Sequence, residues 1–198
     1  IRGEMIVDEG DPFSTLLVNK SINEVKGRNI FGEVTYKMLP GSNEGLKVLE
    51  VSIEEKSTGE IMAGAGVGTD GTTLAFSISE NNWLGRGLRL NTSINLSKEQ
   101  ILGGLSIYNP NYNFTERAVS AGINVSETDR TESSGYKSSL TNIDLGTVFE
   151  QYQNVYFSPE FKATFEDVEV ENTATTSIKK MEGNFFNLDF IYGVTVDK

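Results

Sequence analysis

The chain has 198 residues, a hydrophobic content of 37% and a formal net charge of −11. Soluble domains usually contain about 45–50% apolar residues. The low value here, with 20 glycines and 4 prolines, favours short strands joined by polar turns over a helical protein. The acidic balance argues against nucleic-acid binding. Histidine and cysteine are absent, so the chain cannot build a Ser-His-Asp triad, a histidine-ligated zinc site or a disulfide.

Residues 1–58 carry a helical pattern followed by two strand patterns. Apolar residues recur at helical spacing between Pro12 and Arg28, and Asp11 and Pro12 suit the N-cap and the first helical position. Residues 33–39 and 46–54 then alternate as strands on either side of a Pro-Gly turn. The pattern predicts a small α+β unit.

From Gly59 onward, apolar residues recur at every second position. This alternation predicts strands with one apolar face and one small, polar face, and their lengths suit tilted strands that cross a bilayer. Asp70 and Gly71 supply a tight hairpin signal after the first strand. The eight predicted strands lie near residues 59–69, 73–79, 88–97, 101–108, 119–127, 136–145, 155–168 and 185–196.

The segments between these strands differ in composition at the two ends of the predicted sheet. If residues 1–58 lie in the periplasm, the turns at 81–86, 109–117 and 147–154 lie on the same side. The loops at 128–135 and 169–183 are charged and almost free of aromatic residues, which suits an exterior surface. The turns and their flanks hold the aromatic residues expected of an interfacial girdle, namely Trp83, Tyr108, Tyr112, Phe114, Phe149, Tyr152 and Tyr156.

Several segments match the pattern of one protein family in chain order. They are the stretch from Arg2 to Val34, the junction VSIEEKSTG at 51–59, the glycine-rich run at 64–68, the turn ENNWLGRG at 80–87, and Asn109-Pro110 with Tyr112. Together they resemble the BamA family of outer-membrane β-barrel assembly proteins. The resemblance covers the whole chain, and the junction and the first turn are specific in combination.

The resemblance implies that the chain is a fragment with two parts. Residues 1–58 correspond to a partial fifth POTRA domain without its first strand, and residues 59–198 to the N-terminal half of an antiparallel transmembrane β-barrel, about eight of an expected sixteen strands. It implies a place in the bacterial outer membrane, with the N-terminal part in the periplasm. No enzymatic activity, cofactor or metal is expected. The implied partners are unfolded outer-membrane β-barrel clients, assembly lipoproteins and outer-membrane lipid.

The glycine-rich first strand is the predicted functional site. A dinucleotide-binding fingerprint does not explain its glycines, because a second strand follows where that fingerprint needs a helix. The glycines either permit close approach across a crowded wall or make the strand pair weakly and slip in register. The resemblance implies a lateral gate whose edge templates a client strand. Its residues are Gly59, Glu60, Ile61, Met62, Ala63, Gly64, Ala65, Gly66, Val67, Gly68 and Thr69.

The resemblance also implies an exposed POTRA strand edge for client or lipoprotein contacts. That edge comprises Lys47, Val48, Leu49, Glu50, Val51, Ser52 and Ile53. Adjacent carboxylates such as Glu54 and Glu55 are interpreted as solvated strand-end charges, because no histidine joins them in a metal or acid–base site. The alternative function is a two-partner-type secretion channel that exports a passenger protein. Five upstream POTRA repeats would favour assembly, and two would favour secretion.

Overall fold

The computed structural model describes residues 1–68 and 71–197. The chain divides into two compact units, Ile1–Thr58 and Gly59–Lys198. No helix in the described ranges is long and apolar enough to cross a membrane. Thr69 of the predicted gate strand and Asp70 of the predicted hairpin signal lie outside the described residues.

The first unit contains one helix and one antiparallel hairpin. A 3-10 turn at Arg2–Glu4 precedes helix α1 (Thr15–Gly27) and strands β1 (Phe31–Pro40) and β2 (Lys47–Glu55). The predicted start of the helix at Pro12 is wrong. Ser14 is the N-cap and accepts a hydrogen bond from the backbone N–H of Leu17 at 3.5 Å, whereas Asp11 accepts one from the backbone N–H of Asp8 at 2.8 Å.

The core of the first unit lies between one face of α1 and one face of the hairpin. Val18, Ile22 and Val25 recur at intervals of four and three residues, so they share one helical face, and all three are buried with Val34 of β1. The strand side chains that pack against them are partly buried, namely Phe31, Tyr36, Leu49, Val51 and Ile53.

The segment before α1 is tied to this core through one serine. Ser21 is fully buried, and its Oγ accepts hydrogen bonds from the backbone N–H groups of Ile6 at 2.9 Å and Val7 at 3.4 Å. Because buried backbone donors need partners, this contact fixes the path of the segment over the helix.

The second unit is an antiparallel sheet of eight strands, each paired with its neighbours in sequence. The prediction of eight antiparallel strands is confirmed. Across the described residues, β3 and β10 each pair with a single strand and so form the two edges of the sheet. The strands are β3 (Gly59–Gly68), β4 (Gly71–Trp83), β5 (Leu88–Leu96), β6 (Gln100–Asn109), β7 (Ala118–Arg130), β8 (Tyr136–Tyr152), β9 (Val155–Val170) and β10 (Gly183–Val196).

Three short helical segments lie in the connections. A 3-10 turn at Tyr112–Phe114 joins β6 to β7, α2 (Thr131–Ser134) joins β7 to β8, and α3 (Thr176–Lys179) lies between β9 and β10. Strand β7 ends at Arg130, so it includes the first three residues of the loop predicted at 128–135.

The turn predicted at 147–154 is wrong. Strand β8 continues to Tyr152 and β9 begins at Val155, so only two residues connect them. Asn154 takes a left-handed conformation with φ +61°, and its backbone N–H donates a hydrogen bond to Glu150 Oε1 at 2.6 Å. Asparagine tolerates this conformation, which allows the tight connection.

The strand register gives the sheet two chemically different faces. Residues directly opposite each other in an antiparallel pair point to the same face. Phe76 pairs with Ile94, and Ile123 with Ile143, whereas Ser77 pairs with Ser93 and Asn124 with Asn142. The first kind of pair belongs to the apolar face and the second to the polar face.

The apolar face is not covered by any other element among the described residues of the second unit. The buried hydrophobic residues among the described residues of this unit are Ala118 and Val168, and the register places both on the polar face. Val67 is 86% exposed and Leu188 is 66% exposed. The sheet thus has no core of its own on its apolar side.

Candidate functional site: two sheet edges and an uncovered face

Strand β3 forms an open edge with unusual space around its glycines. All ten of its residues are exposed. A Cβ atom added to Gly64, Gly66 or Gly68 would meet no atom within 4 Å. Crowding therefore does not explain these three glycines in this structure. Gly59 differs, because a Cβ there would lie 2.8 Å from Glu80 Oε2.

The contacts that join β3 to β4 are reduced on one face. On the polar face, Gly64 lies opposite Ala75, and Gly66 lies opposite Thr73. Because glycine has no side chain, these pairs lack the cross-strand contacts that contribute about 0.2–1 kcal/mol each in other sheets. On the apolar face, pairs such as Ile61 with Ile78 remain. From Gly64 onward, β3 is thus attached to β4 mainly through its backbone and its apolar face, whereas Met62 still lies opposite Ser77 on the polar face.

The opposite edge, β10, carries a row of aromatic pairs with β9. The ring centroids of Phe165 and Phe186 are 4.9 Å apart, and so are those of Phe161 and Phe190. Phe157 lies 5.7 Å from Tyr192. Such pairs stabilise by about 0.5–1.5 kcal/mol beyond area burial. The two edges therefore differ in kind, one glycine-rich and one aromatic.

Glycines on the polar face of the interior strands have the crowding that β3 lacks. A Cβ on Gly122 would lie 2.6 Å from Asp144 Oδ2, and one on Gly104 would lie 2.8 Å from Asn124 Oδ1. Both glycines lie directly opposite the side chain that leans over them. The sequence pattern does not reveal this arrangement, because it depends on the register of the strands.

Charged residues in the middle of the long strands lie on the polar face. Lys162 of β9 is paired in register with Asp144 on one side and Asp189 on the other. The flanking apolar-face pairs are Leu145 with Phe161 and Leu188 with Ala163. The charges are thus kept on one side of the sheet.

The predicted girdle residues lie at one end of the sheet but do not share a face. The β4–β5, β6–β7 and β8–β9 connections meet at the same end, because neighbouring strands are antiparallel. Trp83 and Tyr152 end their strands there. Tyr108 pairs with Arg89 and Ser120, and Tyr156 pairs with Thr195, which places both tyrosines on the polar face. The girdle remains a prediction for Trp83, Tyr108, Tyr112, Phe114, Tyr152 and Tyr156.

The loops at the other end of the sheet are joined by ion pairs and backbone hydrogen bonds. Lys98 Nζ lies 3.0 Å from Glu132 Oε2, and Arg130 Nε lies 3.2 Å from Glu99 Oε2. Hydrogen bonding to Glu132 and its negative charge raise the pKa of Lys98 above 10.5. The backbone N–H of Glu171 donates to the carbonyl of Gly135 at 2.8 Å. The β5–β6, β7–β8 and β9–β10 loops are therefore connected to one another.

The predicted POTRA edge residues form most of β2. Leu49, Val51 and Ile53 are partly buried against the helix side of the hairpin, whereas Val48, Glu50 and Ser52 are exposed on the other side. Lys47 Nζ lies 4.2 Å from the ring centroid of Phe13. Within the described part of this unit β2 pairs with β1 alone.

Across residues 1–68 and 71–197, no group of three or more His, Cys, Asp or Glu side chains could hold a metal ion. The features that distinguish the second unit are its two open edges and its uncovered apolar face. A family model described as the Omp85 superfamily domain matches residues 82–198, more than half of the chain. The chain belongs to the Omp85 superfamily. The match covers β5 to β10 and the end of β4.

Two curated proteins are similar to this Omp85 chain. The outer membrane protein assembly factor BamA of Neorickettsia risticii (strain Illinois) is 26% identical over 187 residues, which cover 92% of this chain and 25% of that protein. A putative outer membrane protein assembly factor of Treponema pallidum (strain Nichols) is 30% identical over 105 residues, covering 50% of this chain and 12% of that protein. The chain thus spans about a quarter of the BamA relative and a smaller share of the second.

Solved structures show the same fold. The crystal structure of BamA from Haemophilus ducreyi lacking POTRA domains 1-3 matches with a TM-score of 0.76 and 20% identity, over 100% of this chain and 41% of that chain. CdiB from Acinetobacter baumannii matches with a TM-score of 0.51 and 13% identity, over 96% of this chain and 38% of that chain. With the curated relatives, these matches confirm the resemblance to the BamA family.

Proposed function

We propose that this chain is part of a bacterial outer-membrane protein that assists the folding and insertion of β-barrel clients, and that β3 receives the client strand. The observation that carries the proposal is the open β3 edge, whose glycines at 64 and 66 leave part of one face without cross-strand side-chain contacts. The curated relatives, which are assembly factors by name, support the same function.

The uncovered apolar face supports a place in the membrane. Soluble proteins rarely expose contiguous apolar patches larger than a few hundred Å². Here the face extends over all eight strands, from Ile61 on β3 to Leu188 on β10, and both side chains are mostly exposed. Lipid hydrocarbon is the solvent that suits such a face, while the charges on the other face suit an aqueous lumen.

The open edge then explains how a client is received. In hydrocarbon, an unpaired backbone N–H or C=O group costs several kcal/mol, so the edge of β3 favours any strand that supplies hydrogen-bond partners. A client strand that adds to the edge gains those hydrogen bonds through β-augmentation. Weak side-chain pairing with β4 allows β3 to shift in register. No bond is made or broken, so no catalytic residue is required.

The first unit serves, in this proposal, as a periplasmic POTRA docking surface. Strand β2, from Lys47 to Ile53, contacts a client segment or an assembly lipoprotein through the side of the hairpin opposite the core. Val48 and Glu50 are exposed on that side and would supply side-chain contacts.

An assembly assay with strand-strengthening variants tests the role of β3. In Gly64→Val and Gly66→Val, the new side chains have free space and add cross-strand contacts to β4, so the fold is retained while client insertion slows severalfold. The control is Gly103→Val on interior strand β6, where an added Cβ also meets nothing within 4 Å. Equal insertion rates in all three variants would contradict the role of β3.

A further inference from the structure

At the end of the sheet where Trp83 and Tyr152 end their strands, two turns each hold a bulky residue in a left-handed conformation. The β4–β5 turn holds Leu84 at φ +57°, and the β6–β7 turn holds Phe114 at φ +56°. Bulky residues other than glycine rarely adopt this left-handed conformation, because it costs about 1 kcal/mol or more. Both side chains nevertheless point outward, Leu84 being 73% exposed and Phe114 68% exposed.

An asparagine side chain braces each turn. Asn82 Oδ1 accepts a hydrogen bond from the backbone N–H of Gly87 at 2.7 Å. Asn111 Oδ1 accepts one from the backbone N–H of Glu116 at 2.9 Å. The exposed apolar tips are therefore held in place by the turns and do not depend on contacts of their own. Strain maintained in this way is typical of functional positions.

Each turn also carries one exposed arginine. Arg86 and Arg117 form no ion pair shorter than 4.0 Å among the described residues. The guanidinium of Arg117 lies 5.5 Å from the ring centroid of Phe149. Phe149 pairs with Phe157 on the apolar face, so this cation lies where that face ends. The two turns are two strands apart, about 10 Å at ordinary strand spacing.

The carboxylates at this end are partly engaged. Glu80 Oε1 accepts a hydrogen bond from the backbone N–H of Asn82, and Glu150 Oε1 accepts one from the backbone N–H of Asn154. Glu116 is exposed beside Arg117. The two turns therefore present two arginines and one free-standing acid next to two apolar tips.

The geometry points to a binding surface for anionic phospholipid headgroups, formed by Leu84, Arg86, Phe114 and Arg117. The apolar tips enter the acyl-chain boundary, where the apolar face continues, and the two guanidinium groups bind lipid phosphates. This inference rests on the proposed membrane location of the sheet. The inference names the class of lipid that the two turns bind. The predicted aromatic girdle says only that its residues lie at a membrane interface.

The single tryptophan of the chain, Trp83, lies next to Leu84 and reports on the surface directly. The full chain is folded into phosphatidylcholine vesicles with and without phosphatidylglycerol, and Trp83 emission is quenched with lipids brominated near the headgroup or deep in the chain. We expect quenching by the shallow bromine, which strengthens in the anionic vesicles. Arg86→Gln and Arg117→Gln each reduce the preference for anionic vesicles about fivefold.

Further variants test the apolar residues and the arginines of this surface separately. Leu84→Asn keeps a residue that tolerates the left-handed turn, removes the apolar tip and weakens the shallow quenching. Arg89→Gln is the control for charge, because Arg89 lies at the same end but stacks on Tyr108 on the polar face, and it leaves the lipid preference unchanged. Unchanged preference in Arg86→Gln and Arg117→Gln would overturn the inference.

A second probe distinguishes failure of this surface from failure of the proposed function. The variant Trp83→Phe with Phe190→Trp places the probe in the middle of the apolar face of β10. Deep quenching of Trp at 190 without shallow quenching of Trp83 would refute the headgroup surface and retain the membrane sheet. Absence of deep quenching would refute the membrane location itself, and the headgroup surface with it.

Discussion

Phe161 and Phe190 lie opposite each other on β9 and β10 with their ring centroids 4.9 Å apart, and yet both rings are more than half exposed. A pair of this kind would be costly in water, because it leaves large apolar area unburied. The relationship is explained if hydrocarbon completes the environment of the rings. This agrees with the proposed place of the sheet in a membrane.

Charge placed on the two faces of β10 should have opposite consequences. We expect Phe190→Arg, near the middle of the strand on the apolar face, to destabilise the folded state in a bilayer by about 2–4 kcal/mol. Asn187→Arg, on the polar face of the same strand, should cost well under 1 kcal/mol, because that face meets water. Reversible unfolding of both variants in vesicles measures the difference. Equal costs would show that both faces share one solvent.

The glycines of the sheet should divide into two classes on substitution by alanine. Gly122→Ala should destabilise by about 1–3 kcal/mol, because its Cβ would lie 2.6 Å from Asp144 Oδ2. Gly66→Ala should be neutral or stabilise by up to about 1 kcal/mol, because its surroundings are open. Denaturant titration of both variants provides the measurement.

A double-mutant cycle checks the cause of the first effect. Adding Asp144→Ala to Gly122→Ala should recover part of the lost stability, because the carboxylate is the atom group that the new Cβ meets. Additive costs would mean that the backbone of β7, rather than Asp144, requires the glycine.

The ion pair at the loop end of the sheet gives a pH prediction. The pKa of Lys98 is raised by Glu132, so the contribution of the charged pair is present below the ordinary value of 10.5 and is lost as the pH rises through the higher folded value. NMR titration of Lys98 should show its pKa returning toward 10.5 in Glu132→Gln. An unchanged titration curve would mean that the two side chains do not pair in solution.

The sequence predicted the strands well because alternation is a local signal. Each of the eight strands was recognised from period-two apolar residues, as from Phe186 to Val194 on β10. The start of α1 was wrong because Asp11 and Ser14 are both good N-caps, and the hydrogen bond of Asp11 to Asp8 is not visible in the pattern. Local residue type could not choose between them.

The other differences concern strand length and face. The pattern predicts a turn at 147–154 because it lies between two strands, but Phe149 stacks on Phe157 within a longer β8–β9 pair. Tyr108 and Tyr156 belong to the predicted girdle by their position along the chain, and the register adds that they lie on the polar face. Because one residue of register exchanges the faces of a strand, composition alone cannot assign a face.

The most direct measurement is site-specific cross-linking during client assembly. The chain contains no cysteine, so Gly66→Cys introduces a single thiol on the open β3 strand, and Ser93→Cys places one on the polar face of interior strand β5 as the control. A series of single cysteines along the strands of a β-barrel client provides the partners. The account predicts disulfides between position 66 and one client strand, with a regular two-residue spacing, and none from position 93. Efficient client assembly without any cross-link to position 66 would contradict the proposal that β3 receives the client.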